Sequence, residues 1–316
     1  MSGLLSPWPG VVDTELDVAG RPVRALRVKG RRRGAGAVPQ LLVHGLGGSS
    51  VTWVEVMGGL AEHGPVVAVD LPGFGRTAPR EDDELTVRGY VRFVLDVADA
   101  LGWDRFELHG NSMGGLVAVL LAARHPDRVE RLVLVSPALP PRTPLGLLVP
   151  ARATVDGMAP VAVSTLSAAV LGVVGIAGPE LTEHRNRQLL RLIYADPDGV
   201  DRRLLELMAA DFRGDDATTT RSRRRALRSA TRSIAALWTD PRRVWRAIDR
   251  IEAPTLLLGG TRDALIPAKV LRAVLARRRD WTGRVLDDRR HALMMEDPAA
   301  YLEEVARWRD ATERAA

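Results

Sequence analysis

Two early segments, Asp13 to Val18 and Pro22 to Val28, alternate apolar and polar side chains about Ala19-Gly20-Arg21. Because successive side chains of a strand face opposite ways, this pattern predicts an antiparallel hairpin. The rhythm then changes to short, largely apolar runs at Gln40 to Val43, Pro65 to Val69, Phe106 to Leu108, Leu132 to Val135, Thr255 to Leu258 and Arg284 to Leu286. Most of these are followed by a helical pattern. Runs without alternation suit strands covered on both faces, and strands alternating with helices specify parallel pairing through right-handed crossovers. The predicted fold class is α/β, a mostly parallel central sheet flanked by helices.

Between the fourth and fifth runs the rhythm lapses. From Pro140 to about Pro241 the signals are helical or irregular, and a stretch of that length cannot be a bare loop in a compact domain. The expected organisation is a core of residues 1–139, a helical cap insertion of 140–241 and a second part of the core at 242–316. Inside the insertion, Leu204, Leu205, Leu207 and Met208 follow amphipathic spacing, as do Leu227, Ala230, Ile234 and Trp238. Met158 to Pro179 carries no charge, but Gly172, Gly175, Gly178 and its Ser and Thr content set it below the roughly 20 strongly apolar residues of a membrane span.

With 46% hydrophobic and 27% charged residues among 316, the chain has the make-up of an ordinary folded protein with a generous core. The net charge of +6 comes almost wholly from arginine, since Lys29 and Lys269 are the only lysines. The densest runs, Arg31 to Arg33 and Arg221 to Arg228, lack interleaved aromatics, so a compositional preference explains them more simply than a nucleic-acid partner. The absence of cysteine excludes disulfides, thiolate chemistry and Cys-ligated zinc. Met1 to Gly10 has no basic region and is interrupted by Pro7 and Pro9, unlike a signal peptide, so a cytoplasmic location is expected.

Gly110-Asn111-Ser112-Met113-Gly114 has the form G-x-S-x-G, preceded by an apolar run and followed by Leu116, Val119, Leu120 and Ala123 on one helical face. A sharp strand-to-helix turn would strain Ser112, and Gly110 and Gly114 would remove the side chains that clash there. Ser112 would then lie at a helix N-terminus, where the Met113 N–H can stabilise an oxyanion. His44-Gly45-Leu46-Gly47-Gly48 follows another apolar run, and Leu46 N–H is the expected second donor. A serine hydroxyl needs an imidazole base, which needs a carboxylate to fix its tautomer. Asp263 and His291 follow successive predicted strands, so a parallel sheet would place them at the same edge as Ser112. Among the alternatives, His63 and His125 read as helix-end residues, His44 and His109 as scaffold or pocket lining, and His184 as solvated. Asp287 and Asp288 lie close to His291 in sequence, Glu296 and Asp297 read as helix-start residues, and Trp53 as wall or core.

HGLGG (44–48), VDLPGFGRT (69–77), HGNSMGG (109–115), LLLGGTRDALIP (256–267) and RHALMMEDP (290–298) together resemble the α/β-hydrolase superfamily, in its serine esterase or lipase-like form. The resemblance implies catalytic Ser112, Asp263 and His291, an oxyanion hole of Leu46 and Met113, elbow and loop glycines Gly45, Gly110 and Gly114, and a cap over the site. It departs at Arg290, where members commonly have Gly. The implied activity is hydrolysis of a small hydrophobic carboxylic ester through an acyl-enzyme, with no metal or organic cofactor. An apolar cap would also offer a peripheral contact with membrane or lipid. The GNSMGG spelling is similar to that of carbon–carbon bond hydrolases of ring-cleavage products, although Ala292 stands where those carry Trp. A non-catalytic ligand receptor on the same fold is the further alternative.

Overall fold

The structure is a computed structural model and describes residues 5, 7–32, 34, 37–142, 191, 193, 194, 196, 200–212 and 217–315. The uncharged stretch Met158 to Pro179 and His184 lie outside these described residues. The predicted hairpin forms: β1 (Val12–Val18) pairs antiparallel with β2 (Arg21–Val28). Its two-residue turn holds Ala19 and Gly20 at φ 51° and 70°. Positive φ at both positions gives the backbone twist that joins adjacent strands without splaying them.

Each of the six apolar runs is a strand: β3 (Gln40–Val43), β4 (Val66–Val69), β5 (Phe106–Asn111), β6 (Val129–Val135), β7 (Thr255–Gly260) and β8 (Thr282–Leu286). The eight strands form one sheet in the order β1-β2-β4-β3-β5-β6-β7-β8. Pairing is antiparallel for β1–β2 and β2–β4 and parallel from β4 to β8. Along the central strands alternate residues enter different cores. Leu41, Val43, Leu108, Leu132, Leu134 and Leu257 join one cluster, while Leu42, Val133, Val135, Leu256 and Leu258 join the other. That division is the physical reason these runs are continuously apolar: both faces are covered, and each buried aliphatic side chain contributes about 1.5–3 kcal/mol.

The covering helices are α1 (Val54–Leu60), α2 (Val87–Ala100), α3 (Met113–Arg124), α4 (Arg202–Phe212), α5 (Ala217–Thr239), α6 (Pro241–Arg250), α7 (Ala268–Arg277), α8 (Leu293–Glu296) and α9 (Pro298–Ala315). The predicted amphipathic faces of α4 and α5 are used. Leu204 and Leu207 enter one core cluster, and Leu227, Ala230, Ile234 and Trp238 enter the other. Two indoles fasten the chain just after β6: Trp238 Nε1 donates to the Ala138 carbonyl at 3.0 Å and Trp245 Nε1 to that of Pro140 at 3.3 Å. Among the described residues no helix is long and apolar enough to cross a membrane.

Candidate active site

Ser112 occupies the abrupt junction of β5 and α3, at φ 54° and ψ −116°. For a non-glycine residue such a conformation costs on the order of 1–3 kcal/mol and persists only when its surroundings impose it. Here they do. Ser112 N donates to Val135 O at 3.0 Å, continuing the ladder to β6, while its carbonyl accepts from Leu116 N at 3.1 Å and Ala138 N at 2.8 Å. The flanking glycines are required by close approach rather than by their own dihedrals. A Cβ on Gly110 would lie 2.5 Å from Gly114 O, and one on Gly114 only 2.3 Å from Val43 O. The Ser112 side chain makes no capping bond to α3, so its hydroxyl is not consumed by the helix end.

The other two predicted residues are hydrogen-bonded to one another. His291 Nδ1 lies 2.9 Å from Asp263 Oδ2, and both side chains are buried. Asp263 Oδ1 accepts from Leu265 N at 2.8 Å and Ile266 N at 2.9 Å. Those two bonds orient the carboxylate so that its remaining oxygen faces the imidazole. With Nδ1 donating to Asp263, Nε2 is left unprotonated in the neutral ring and can accept a proton. Asp288 is instead paired with Arg262 at the surface, 2.8 Å away.

Asn111, absent from the sequence-level candidates, joins these segments. Its Nδ2 donates to His291 O at 3.2 Å and to Val135 O at 3.1 Å, so the histidine loop is held against the residue preceding Ser112. An amide in the variable position before the serine was the available signal. On the other side, Ile193 O accepts from His291 N at 3.1 Å. At Arg290, where the resemblance departs, the backbone N donates to Glu296 Oε2 at 2.7 Å and so closes the loop. Glu296 therefore ends α8 rather than starting a helix, whereas Asp297 caps α9 as expected, its Oδ1 accepting from Ala300 N at 3.0 Å.

The Gly-rich turn packs directly on the serine. A Cβ on Gly45 would come within 3.0 Å of Ser112 Cβ. Gly48 N donates to Gly45 O at 3.1 Å and Gly47 has φ 74°, the geometry of a turn that demands positive φ at its third residue and places Leu46 second. His44 anchors this turn: Nδ1 donates to Gly45 O at 2.7 Å and Nε2 accepts from Leu71 N at 3.0 Å. Burial draws its pKa below the ordinary imidazole value, which suits a neutral ring with one donor and one acceptor. His44 is thus scaffold, as is His109, whose ring is enclosed between Glu107 and Tyr301. Trp53 belongs to the core, fully buried.

A buried ionic cluster backs the same turn. Ser50 N and Arg76 N donate to the Asp70 carboxylate, at 2.7 and 2.8 Å. Asp211, near the end of α4, accepts from Ser49 Oγ at 2.7 Å and from Arg24 Nη1 at 2.9 Å. Arg24 also reaches Asp13, at 2.8 Å. The hairpin, the turn after β3, the loop after β4 and α4 therefore meet on one guanidinium. Among the described residues no group of three or more His, Cys, Asp or Glu side chains is placed to hold a metal ion.

The sequence profile of the alpha/beta hydrolase fold matches residues 39–298. A pimeloyl-[acyl-carrier protein] methyl ester esterase of Neisseria meningitidis serogroup B is 33% identical over 235 residues, 72% of this chain and 76% of that protein. The dihydrolipoyllysine-residue acetyltransferase component of the acetoin cleaving system of Cupriavidus necator is 40% identical over 115 residues, 36% of this chain but only 30% of that longer protein. Carboxylesterase CesB (YbfK) from Bacillus subtilis superposes with a TM-score of 0.71 over 97% of this chain and 94% of its own, at 20% identity, a likeness of fold. With the profile spanning most of the chain, this protein belongs to the alpha/beta hydrolase fold family.

Proposed function

We propose that the chain is a serine hydrolase that cleaves a carboxylic ester of a hydrophobic substrate through an acyl-enzyme. The observation that carries this reading is the buried Asp263–His291 hydrogen bond on a loop that Asn111 Nδ2 ties to the residue preceding the strained Ser112. Ser112 attacks the ester carbonyl, and His291 Nε2 takes the hydroxyl proton and returns it to the departing alcohol. Water then attacks the acyl-serine by the reverse sequence. The amides of Met113 and Leu46 hold the oxyanion. Asp263 stabilises the imidazolium without itself taking up a proton.

Residues 140–241 serve in this reading as the cap, and the uncharged Met158 to Pro179 segment as its apolar lining, which favours a hydrophobic acyl or alcohol group. The esterase relative supports ester hydrolysis as the reaction class. A fluorophosphonate probe tests the mechanism, because only an activated serine is labelled. Labelling of the wild-type protein and none of Ser112→Ala is expected. An unlabelled wild-type protein would favour the non-catalytic receptor, and turnover of vinylogous diketone acids without ester turnover would favour the carbon–carbon hydrolase. A series of nitrophenyl esters of increasing chain length then defines acyl preference.

A further inference from the structure

Helix α3 begins at Ser112 and ends at Arg124, about 18 Å away at a rise of about 1.5 Å per residue. At that far end a groove of about 910 Å3 opens between α3, the start of α2, α5 and α6. Arg225, Arg228 and Arg232 line it from α5, and Arg243, Arg246 and Arg250 from α6. Spacings of three and four residues put the guanidiniums of each row on one helical face, about 4.5–6 Å apart along the axis. Arg88 and Arg124 complete the rim. The one acidic lining residue among those described, Glu84, is engaged by Arg92 and by Thr86 Oγ1.

Compositional richness in arginine does not account for this gathering. Several arginines elsewhere on the described surface meet carboxylates, as in Arg278–Asp280 at 2.6 Å, Arg289–Asp297 at 2.7 Å and Arg262–Asp288 at 2.8 Å, and those that do not, such as Arg27 and Arg272, do not line this cavity. In the groove, Arg124, Arg232, Arg246 and Arg250 have no ion pair with any described residue. Among the described residues, Arg225 and Arg228 donate only to the carbonyls of Glu81 and Arg224, and of the groove's arginines Arg243 alone meets a carboxylate, that of Asp240. Unneutralised like charges repel, and an anion between the rows would relieve that repulsion.

We propose that this groove binds a soluble small molecule carrying two or more phosphate groups. Guanidinium forks match phosphate oxygens and retain their charge at any physiological pH. Behind the arginines, Leu120, Ala123, Leu237 and Ala247 form an apolar floor for the body of such a ligand. The volume falls within the range of about 300–1,000 Å3 common to small-molecule sites. Among the described residues no aromatic side chain lines the groove, and none there supplies the stacking platform by which single-stranded nucleic acids are held. The concave shape lets a narrow anion pass between the rows, where a flat bilayer would meet only the rim. This site is independent of the ester-hydrolase reading, since it is remote from Ser112.

The test is calorimetric titration of the full chain with inorganic tripolyphosphate at about 0.1 M salt, where the Debye length is about 10 Å. Saturable binding is expected, at least tenfold tighter than for orthophosphate and weakened at least tenfold by Arg232→Glu with Arg246→Glu. The neutral pair Arg232→Gln and Arg246→Gln should give an intermediate loss, and unchanged thermal unfolding would show that the fold is intact. Absence of saturable binding, or equal binding by the charge-reversed protein, would overturn the proposal. Groove-dependent binding to phosphatidylglycerol vesicles or to an RNA oligonucleotide, without binding to tripolyphosphate, would also overturn it.

Discussion

Glu107 is fully buried on β5, the strand that ends at Ser112, and its carboxylate gathers three cationic or hydrogen-bonding partners. Arg131 Nε donates to it at 2.8 Å, His109 Nε2 at 2.7 Å, and Arg309 through both Nε, at 3.2 Å, and Nη2. Burial alone would raise its pKa; Arg309 and His109 override that, holding the carboxyl well below the usual range. The network continues outward, since burial keeps Tyr301 protonated and its hydroxyl donates to His109 Nδ1 at 2.5 Å. Glu107→Gln preserves volume and removes the charge, leaving Arg309, 2% exposed, without its main counter-ion. Breaking one partner of a buried pair costs about 3–5 kcal/mol. That is a large share of a typical stability of about 5–15 kcal/mol.

The pH dependence has a definite sign. Because the folded-state pKa lies below the unfolded value of about 4.3, the carboxylate's contribution is complete above about pH 5 and is lost as pH falls toward the folded pKa. Urea unfolding followed by tryptophan fluorescence should therefore show a constant difference between wild type and Glu107→Gln from about pH 5 to 8, narrowing under more acid conditions. Replacing both partners, as Glu107→Leu with Arg309→Met, should recover most of the loss, because no charge is then left stranded. A single-variant cost under about 1 kcal/mol at neutral pH, or a gap that widens on acidification, would refute this account of the network.

The remaining predictions concern the site. Ser112→Ala should abolish fluorophosphonate labelling and lower ester turnover by about 10⁶-fold, read in a nitrophenyl ester assay. Asp263→Asn should lower kcat by about 10⁴-fold with little change in KM, because the Asn amide no longer favours the imidazole tautomer with Nε2 free to accept. Asp211→Asn should destabilise by about 1.5–3 kcal/mol, the worth of a hydrogen bond to a charged group, because Arg24 keeps Asp13 and Asp70 as partners. If Asp211 also holds the turn at 44–50 through Ser49, kcat should fall more than KM changes, whereas a purely structural role would leave kcat per folded molecule unaltered.

Much of this architecture was legible from local pattern. Alternation about Ala19-Gly20, uncharged runs such as Leu256 to Leu258, and the Gly110 to Gly114 pentapeptide are short-range signals, governed by strand periodicity and backbone sterics, and each forms the element it predicts. The predicted strands are too short at some ends: His109 and Arg131 lie in the sheet beyond the apolar runs, and Glu107 is buried within one of them. Their places there depend on Arg309 and Tyr301, about two hundred residues later in the chain. The same holds for Asn111, whose amide matters because His291 O lies opposite, and for Glu296, whose carboxylate closes the loop at Arg290.

What the amino-acid order determined alone was the set of elements, the two-sided burial of the sheet and the residue types able to perform acyl transfer, since these follow from near-neighbour spacing. Tertiary structure decided which carboxylate meets His291, which face of α5 is buried and which lines the groove with arginine, and how Arg24 draws four distant segments together. Those outcomes depend on distances between residues far apart in sequence, which are settled only when the sheet is assembled in its full strand order.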